Sequence, residues 1–217
     1  MVSGEANIDR RGRRRAATRD EIVQAAWELL HEHGTAGLSM RELGARVGMR
    51  AQSLYQYFAS KHEIYDALFA DGNRAALAHM AEFEDRFDAA TGDPRAQRSA
   101  LHESTRAFFE FCVSDPVRYE LLFQRRIPGF EPSPNSYTLA LELFERFAVR
   151  LASIGLPDDG VDLMIAMLEG LAGQQIANDP GGDRWADLLG DAVDMIVDRY
   201  VPPPRPRAAR TQRAARS

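Results

Sequence analysis

An all-α protein of nine helices is what the sequence predicts, and three observations predict it. Ser/Thr-x-x-Glu boxes at Thr18–Glu21, Ser39–Glu42 and Ser60–Glu63 each stand just ahead of a segment with apolar residues at helical spacing. In such a box the hydroxyl and the carboxylate satisfy N–H groups that a helix start leaves unpaired. Glycine and proline punctuate the remaining chain into pieces of helical length. No piece alternates apolar and polar residues as a half-buried strand would.

The first box opens a helix with Ile22, Ala26, Leu29 and Leu30 on one stripe, stopping near His33 ahead of Gly34. The second runs from Ser39 to Val47 and ends at Gly48. Only Met49 and Arg50 then precede a short helix marked by Ala51, Leu54 and Phe58 at i, i+3 and i+7. From Lys61 the helices lengthen: one to about residue 89, one from Pro94 to Ser114, and one opened by Asp115-Pro116. Both prolines read as first-turn residues behind an Asp cap. Residues 126–136 hold four Pro or Gly residues and read as a loop. Helices to about Ile154, about Asn178 and Tyr200 complete the set, separated by Gly155-Leu156-Pro157 and Pro180-Gly181-Gly182. The expected division is a basic flexible arm (1–14), a helix-turn-helix unit (15–65), a helical body (66–201) and a disordered basic tail (202–217).

With 45% apolar and 27% charged residues the chain has the material for a sizeable core. Its longest apolar runs fall far short of the roughly 18 residues a membrane span needs. No apolar stretch follows the Arg10–Arg15 cluster to make a secretory signal, so the cytoplasm is the expected compartment. One cysteine, Cys112, leaves no intrachain disulfide and no Cys-based metal cage. The net charge of −5 hides a gradient: ten Arg/Lys against seven Asp/Glu in 1–61, 12 against 25 in 62–204, and five Arg with no acid in 205–217. A basic end on an acidic body fits a protein that offers that end to a polyanion.

Two short helices around a glycine turn form a helix-turn-helix, whose second helix enters the DNA major groove. With Ala51, Leu54 and Phe58 turned inward, Arg50, Gln52, Ser53, Gln56 and Tyr57 face outward. That set donates, accepts and makes apolar contact, without an acid to repel phosphate. Ser60-Lys61 opens the next helix, so Lys61 and free backbone N–H groups are placed to grip one phosphate. The stretch Leu38–Leu68, with Val47-Gly48, Leu54-Tyr55, Phe58 and Ser60-Lys61, resembles the DNA-binding domain of TetR-family (AcrR-like) bacterial transcriptional regulators; with the first helix the resemblance covers residues 15–68. It implies a nine-helix TetR-like architecture and a double-stranded DNA operator as partner. By resemblance Arg41 reaches a base or phosphate, Gln52 and Ser53 face bases, and Tyr55, Tyr57 and Lys61 hold the backbone. Arg50 in place of a capping Ser or Thr, and Gln52 in place of Gly or Pro, leave the operator sequence open.

Ten of the eleven phenylalanines lie in the acidic body. An aromatic bundle of this kind can leave an apolar cavity between helices. The candidate lining is Phe83, Phe87, Phe108, Phe109, Cys112, Phe123, Phe144, Phe147 and Met167, and the resemblance implies that it senses a small-molecule effector, expected to be apolar or aromatic. The helix from Val161 to Asn178 is apolar nearly all round and needs covering on two sides. Within it Gly170 and Gly173 each cost about 1 kcal/mol relative to Ala, which suits close approach by another backbone. A homodimer is expected, with Met164, Met167, Gly170, Gly173, Trp185, Leu189 and Ile196 in a four-helix contact made by residues 158–178 and 183–200 of two chains.

Other constellations fall short. Glu28 and His31 have the spacing of a di-iron ligand pair, but there is no second pair. Asp187, Asp191, Asp194 and Asp198 recur at helical spacing and read as a solvated face. With no nucleophile elbow, phosphate loop or dinucleotide fingerprint, no catalysis, cofactor or metal is expected. Two further readings fit the same residues: an all-α ligand-binding or metabolic protein whose helix pair is only structural, and a DNA-binding protein without an effector.

Overall fold

The computed structural model describes residues 2–201, so the tail expected to be disordered, 202–217, lies outside the described residues. The described residues form nine helices and no strand: α1 (Val2–His33), α2 (Met40–Arg46), α3 (Ala51–Leu54), α4 (Lys61–Ala89), α5 (Pro94–Ser114), α6 (Pro116–Phe123), α7 (Pro134–Ser153), α8 (Asp158–Asn178) and α9 (Leu189–Tyr200).

Local chemistry accounts for most of the boundaries. Ser39 Oγ accepts from the Glu42 N–H at 3.4 Å, and Ser60 Oγ from that of Glu63 at 3.2 Å. The Glu63 carboxylate reaches back to the Ala59 N–H at 2.8 Å. Asp93 and Asp115 cap the helices that open on Pro94 and Pro116. Gly34 and Gly48 take φ of +77° and +67°, the left-handed stops that end α1 and the α2 turn. Three boundaries differ from expectation. The Thr18 box opens nothing, because the Thr18 hydroxyl donates to the Arg14 carbonyl four residues back, inside a helix already running. Residues 2–14, expected as a flexible arm, belong to α1, whose Arg- and Ala-rich first half favours helix. Ser133, inside the expected loop, caps α7, while residues 184–188 are turns rather than the first turns of α9.

Packing resolves into two apolar cores. One joins Ile22, Leu29 and Leu30 of α1, Leu43 of α2, Leu54 and Phe58 around α3, and Ile64, Tyr65 and Leu68 of α4. It also takes in Leu121 of α6 and Ile127. The other is built by α4 through α9 around Phe69, Phe109, Tyr119, Met164, Leu168 and Val193. The continuous α4 runs through both, changing core between Leu68 and Phe69. Polar ties cross the same joint: Trp27 Nε1 donates to Asp71 at 2.9 Å, Thr35 to Glu120 at 2.8 Å, and His31 lies 3.0 Å from Asp115. Asp66 accepts from the Ser133 N–H and from the Ser133 and Ser136 hydroxyls at 2.7–2.9 Å, clamping the start of α7 to α4.

Candidate nucleic-acid interface and effector cavity

The recognition segment is a four-residue helix prolonged by turns. Tyr57 N and Phe58 N both donate to the Leu54 carbonyl at 2.9 Å, so the inward and outward faces persist past the end of α3. Leu54 and Phe58 are fully buried and anchor it from behind, with Ala51 half-buried beside them. A Cβ at Gly44 would lie 2.8 Å from the Met49 carbonyl, so only glycine lets α2 pass this close to the turn leading into α3.

Outward stand Arg41, Arg50, Gln52 and Gln56, all exposed, and Tyr55, 53% exposed; Ser53 and Tyr57 are half-buried. Arg50 occupies the N-cap position of α3 without capping it, which leaves its side chain available to a ligand. Lys61 is half-buried at the start of α4, its Nζ 5.5 Å from the centre of the Tyr65 ring. Two arginines of α1 hold the segment's far end. Arg15 donates to the Gln56 carbonyl at 2.5 Å and lies over the Tyr57 ring, while Arg19 donates to the Tyr57 carbonyl with its guanidinium 4.0 Å above the Phe58 ring. Two cations thus meet the carbonyls where the segment's dipole ends. Neither is among the expected site residues; Arg15 is the last residue of the Arg10–Arg15 cluster and the first of the expected helix-turn-helix unit. Their signal was an Arg pair four apart, one turn ahead of the apolar stripe of α1.

In the body a cavity of about 440 Å³ lies among α4, α5, α6, α7 and α8. Phe83, Phe87, Phe108, Phe123, Phe144 and Phe147 line it, together with Phe130 and Tyr137. Phe109, Cys112 and Met167 do not line it. Phe109 and Cys112 face the packed core, where burial drives the Cys112 thiol far above its ordinary pKa, and Met167 packs against the outside of that core. The sequence reading also missed the polar wall residues Glu84, Arg125, Arg150 and Glu169.

Residues 22–68 match the model of the bacterial regulatory proteins of the tetR family. Over that stretch the chain is similar to the TetR family. It is 29% identical over 210 residues to the HTH-type transcriptional regulator Rv1816 of Mycobacterium tuberculosis, covering 87% of this chain and 86% of that one. The HTH-type transcriptional repressor DrrR1 of Streptomyces coeruleorubidus is 28% identical over 160 residues, 74% of this chain and 53% of its own. Among solved structures, the multidrug binding protein EbrR, crystallised with imidazole, shares the fold with a TM-score of 0.57 at 21% identity, over 87% of this chain and 98% of its own. No helix among the described residues is long and apolar enough to cross a membrane.

The expected dimer face needs revision. Met164, Leu189 and Ile196 are buried within the single chain, where α8 packs on α5 and α9. Gly173 makes room for Tyr119, whose hydroxyl would sit 2.9 Å from a Cβ there and which donates to the Glu169 carbonyl. Met167 and Trp185 are half-buried. Gly170 alone of the set stands clear, with nothing within 4 Å of a Cβ. The exposed apolar positions on α8, α9 and the turn between them are instead Leu163, Gly170, Leu188 and Met195, the last 73% exposed. An all-round apolar helix does not reveal from spacing which side its own chain takes.

The remaining constellations resolve as structural contacts. Glu28 pairs with Arg46, and no group of metal-ligating residues occurs among the described residues. Asp194 and Asp198 are no idle solvated face: Arg98 holds both at 2.7 Å, and His102 donates to Asp194. Partial burial would raise the Asp194 carboxyl, but the Arg98 and His102 hydrogen bonds outweigh it and hold it below the ordinary range.

Proposed function

We propose that this chain is a ligand-responsive transcriptional repressor. A homodimer reads a palindromic operator through Arg41, Arg50, Gln52, Ser53, Tyr55, Gln56, Tyr57 and Lys61, and a small organic effector in the body cavity releases it. The observation that carries the reading is the outward face of the recognition segment: the exposed Arg50, Gln52 and Gln56 and an exposed Tyr55 over a fully buried Leu54 and Phe58. Such a face reads base edges by hydrogen bonding while its anchors fix its register. The repressor named among its relatives and the multidrug-binding protein that shares its fold support the sign of regulation and the use of the cavity. Leu163, Gly170, Leu188 and Met195 supply an apolar face for a second copy, which would set two heads about one DNA turn, roughly 34 Å, apart.

The test is operator binding by outward variants whose melting temperatures match the parent. Gln52→Ala and Gln56→Ala are expected to weaken specific binding by about 1–3 kcal/mol each, as loss of a base contact does. Lys61→Ala is expected to weaken all sequences alike and make the salt slope shallower by about one unit. Unchanged operator affinity in all three variants returns the helix pair to a purely structural role.

A further inference from the structure

On the wall of the cavity, the carboxylate of Glu169 stands apart from its charged neighbours. Glu84 is met by Arg146 at 3.3 Å and Arg150 at 3.5 Å, and Arg150 also holds Asp88 at 2.9 Å. Arg125 lies on the exposed edge, where water solvates it. Glu169 sits inside, on α8, half-buried, and is the sole charged residue between Asp162 and Asp179. Its peptide carbonyl takes the Tyr119 hydroxyl at 2.9 Å, but among the described residues its carboxylate receives neither a hydrogen bond nor an ion pair. Burial alone acts on it and raises its pKa above the ordinary value. A carboxylate held in an apolar wall without a partner costs folding free energy, and a ligand able to meet it recovers that cost.

The surrounding groups suit one kind of ligand. Tyr119 is 5.7 Å from Phe123, and Phe123 meets Phe108 edge to face at 5.7 Å. Both phenylalanines line the cavity, which Phe83, Phe87, Phe144 and Phe147 also wall. Ring faces carry negative potential and attract cations stripped of water. We propose that the effector is an organic cation, its ammonium or delocalised positive charge met by Glu169 and by the faces of Phe123 and Phe108, and its apolar part filling the remaining cavity. This rests on the reading of the cavity as the effector site, and it narrows the expected apolar or aromatic effector to one that carries positive charge.

Calorimetry of the full-length protein with phenylbutyltrimethylammonium, phenylbutanol and phenylbutyrate compares one shape in three charge states. The ammonium is expected to bind more tightly than the alcohol, and Glu169→Gln to weaken the ammonium by about tenfold or more while sparing the alcohol. Glu169→Asp, which keeps the charge, is expected to retain the preference for the ammonium, and far-ultraviolet dichroism confirms that each variant is folded. Equal affinity of the ammonium for the parent and Glu169→Gln, or tighter binding of phenylbutanol or phenylbutyrate than of the ammonium by the parent, overturns the cation assignment and leaves the cavity an effector site. Failure of all three probes to bind overturns the effector reading together with it.

Discussion

The two cores of this chain treat empty space in opposite ways. Around the recognition segment the large inward side chains are packed without gaps to solvent: Leu30, Leu43, Leu54 and Phe58 have no exposure at all. In the body, α7 spends 20 residues and buries only Ser136 and Leu151, while Tyr137, Leu141 and Phe144 face a cavity of about 440 Å³ and remain open to solvent. Close packing holds side chains in single rotamers, which a face that reads base edges requires. A sensing body needs volume that its own chain does not fill, and accepts lower local stability to keep it. Rigidity and vacancy are thus divided between the two ends of α4.

The sharpest way to break this contrast is to delete one ring from each core. Phe58→Ala is expected to cost about 3–5 kcal/mol and abolish operator binding, whereas Phe144→Ala should cost under about 1 kcal/mol, because it removes a half-solvated wall rather than packed volume. Denaturant unfolding of both variants checks it, and similar losses would show the body to be packed as tightly as the head. Gly170→Leu comes next. Within one chain it meets nothing and should even favour the helix slightly, yet between two chains it is expected to weaken association by about 1–3 kcal/mol, and operator binding with it. Sedimentation equilibrium showing an unaltered dimer would move the interface elsewhere.

A smaller effect is expected from Arg19→Ala, which frees the Tyr57 carbonyl and uncovers the Phe58 ring. Operator affinity should fall roughly tenfold, about 1.4 kcal/mol, with little change in melting temperature. A fall no larger for the operator than for random DNA would make Arg19 a phosphate contact instead. The smallest effect concerns pH. The folded chain raises the Glu169 pKa above its unfolded value of 4.5, so between that value and the raised one the folded state holds the extra proton and stability declines as pH climbs. Glu169→Gln removes this contribution, and its melting temperature is expected to decline less than the parent's as pH rises from 4.5 through the raised value. Parallel curves would mean that the side chain is solvated in the folded state.

How far the sequence disclosed this arrangement follows from the range over which each signal acts. Capping boxes, Pro-led first turns and Gly48 are complete within a few residues, and they locate helix boundaries from α2 to α6 with little error. The Thr18 box misled because its own pattern cannot show that the preceding Arg-rich residues already form helix. Which phenylalanines border a void and which are packed depends on helices distant in the chain, so Phe108 and Phe109, adjacent in sequence, part company: one lines the cavity and the other is core. For the same reason the apolar positions of α8 disclosed that two covers are needed but not which position meets which cover. Glu169 was the legible residue left unread, a lone charge in an apolar helix and hence costly to bury unless something answers it.

The core behind the recognition segment is not made by the segment's own neighbours alone. Leu68 closes it from α4, and Leu121 and Ile127 arrive from more than fifty residues further along the chain. A fragment cut at residue 65 would keep its whole reading face and lose three side chains from the floor beneath it. Such an excised head is expected to be marginally folded and to bind only once DNA supplies the missing support. Reading and sensing in this chain are therefore not separable cassettes. A chimera that borrows this head must bring α6 and the turn after it, or replace Leu121 and Ile127 with apolar surface of its own.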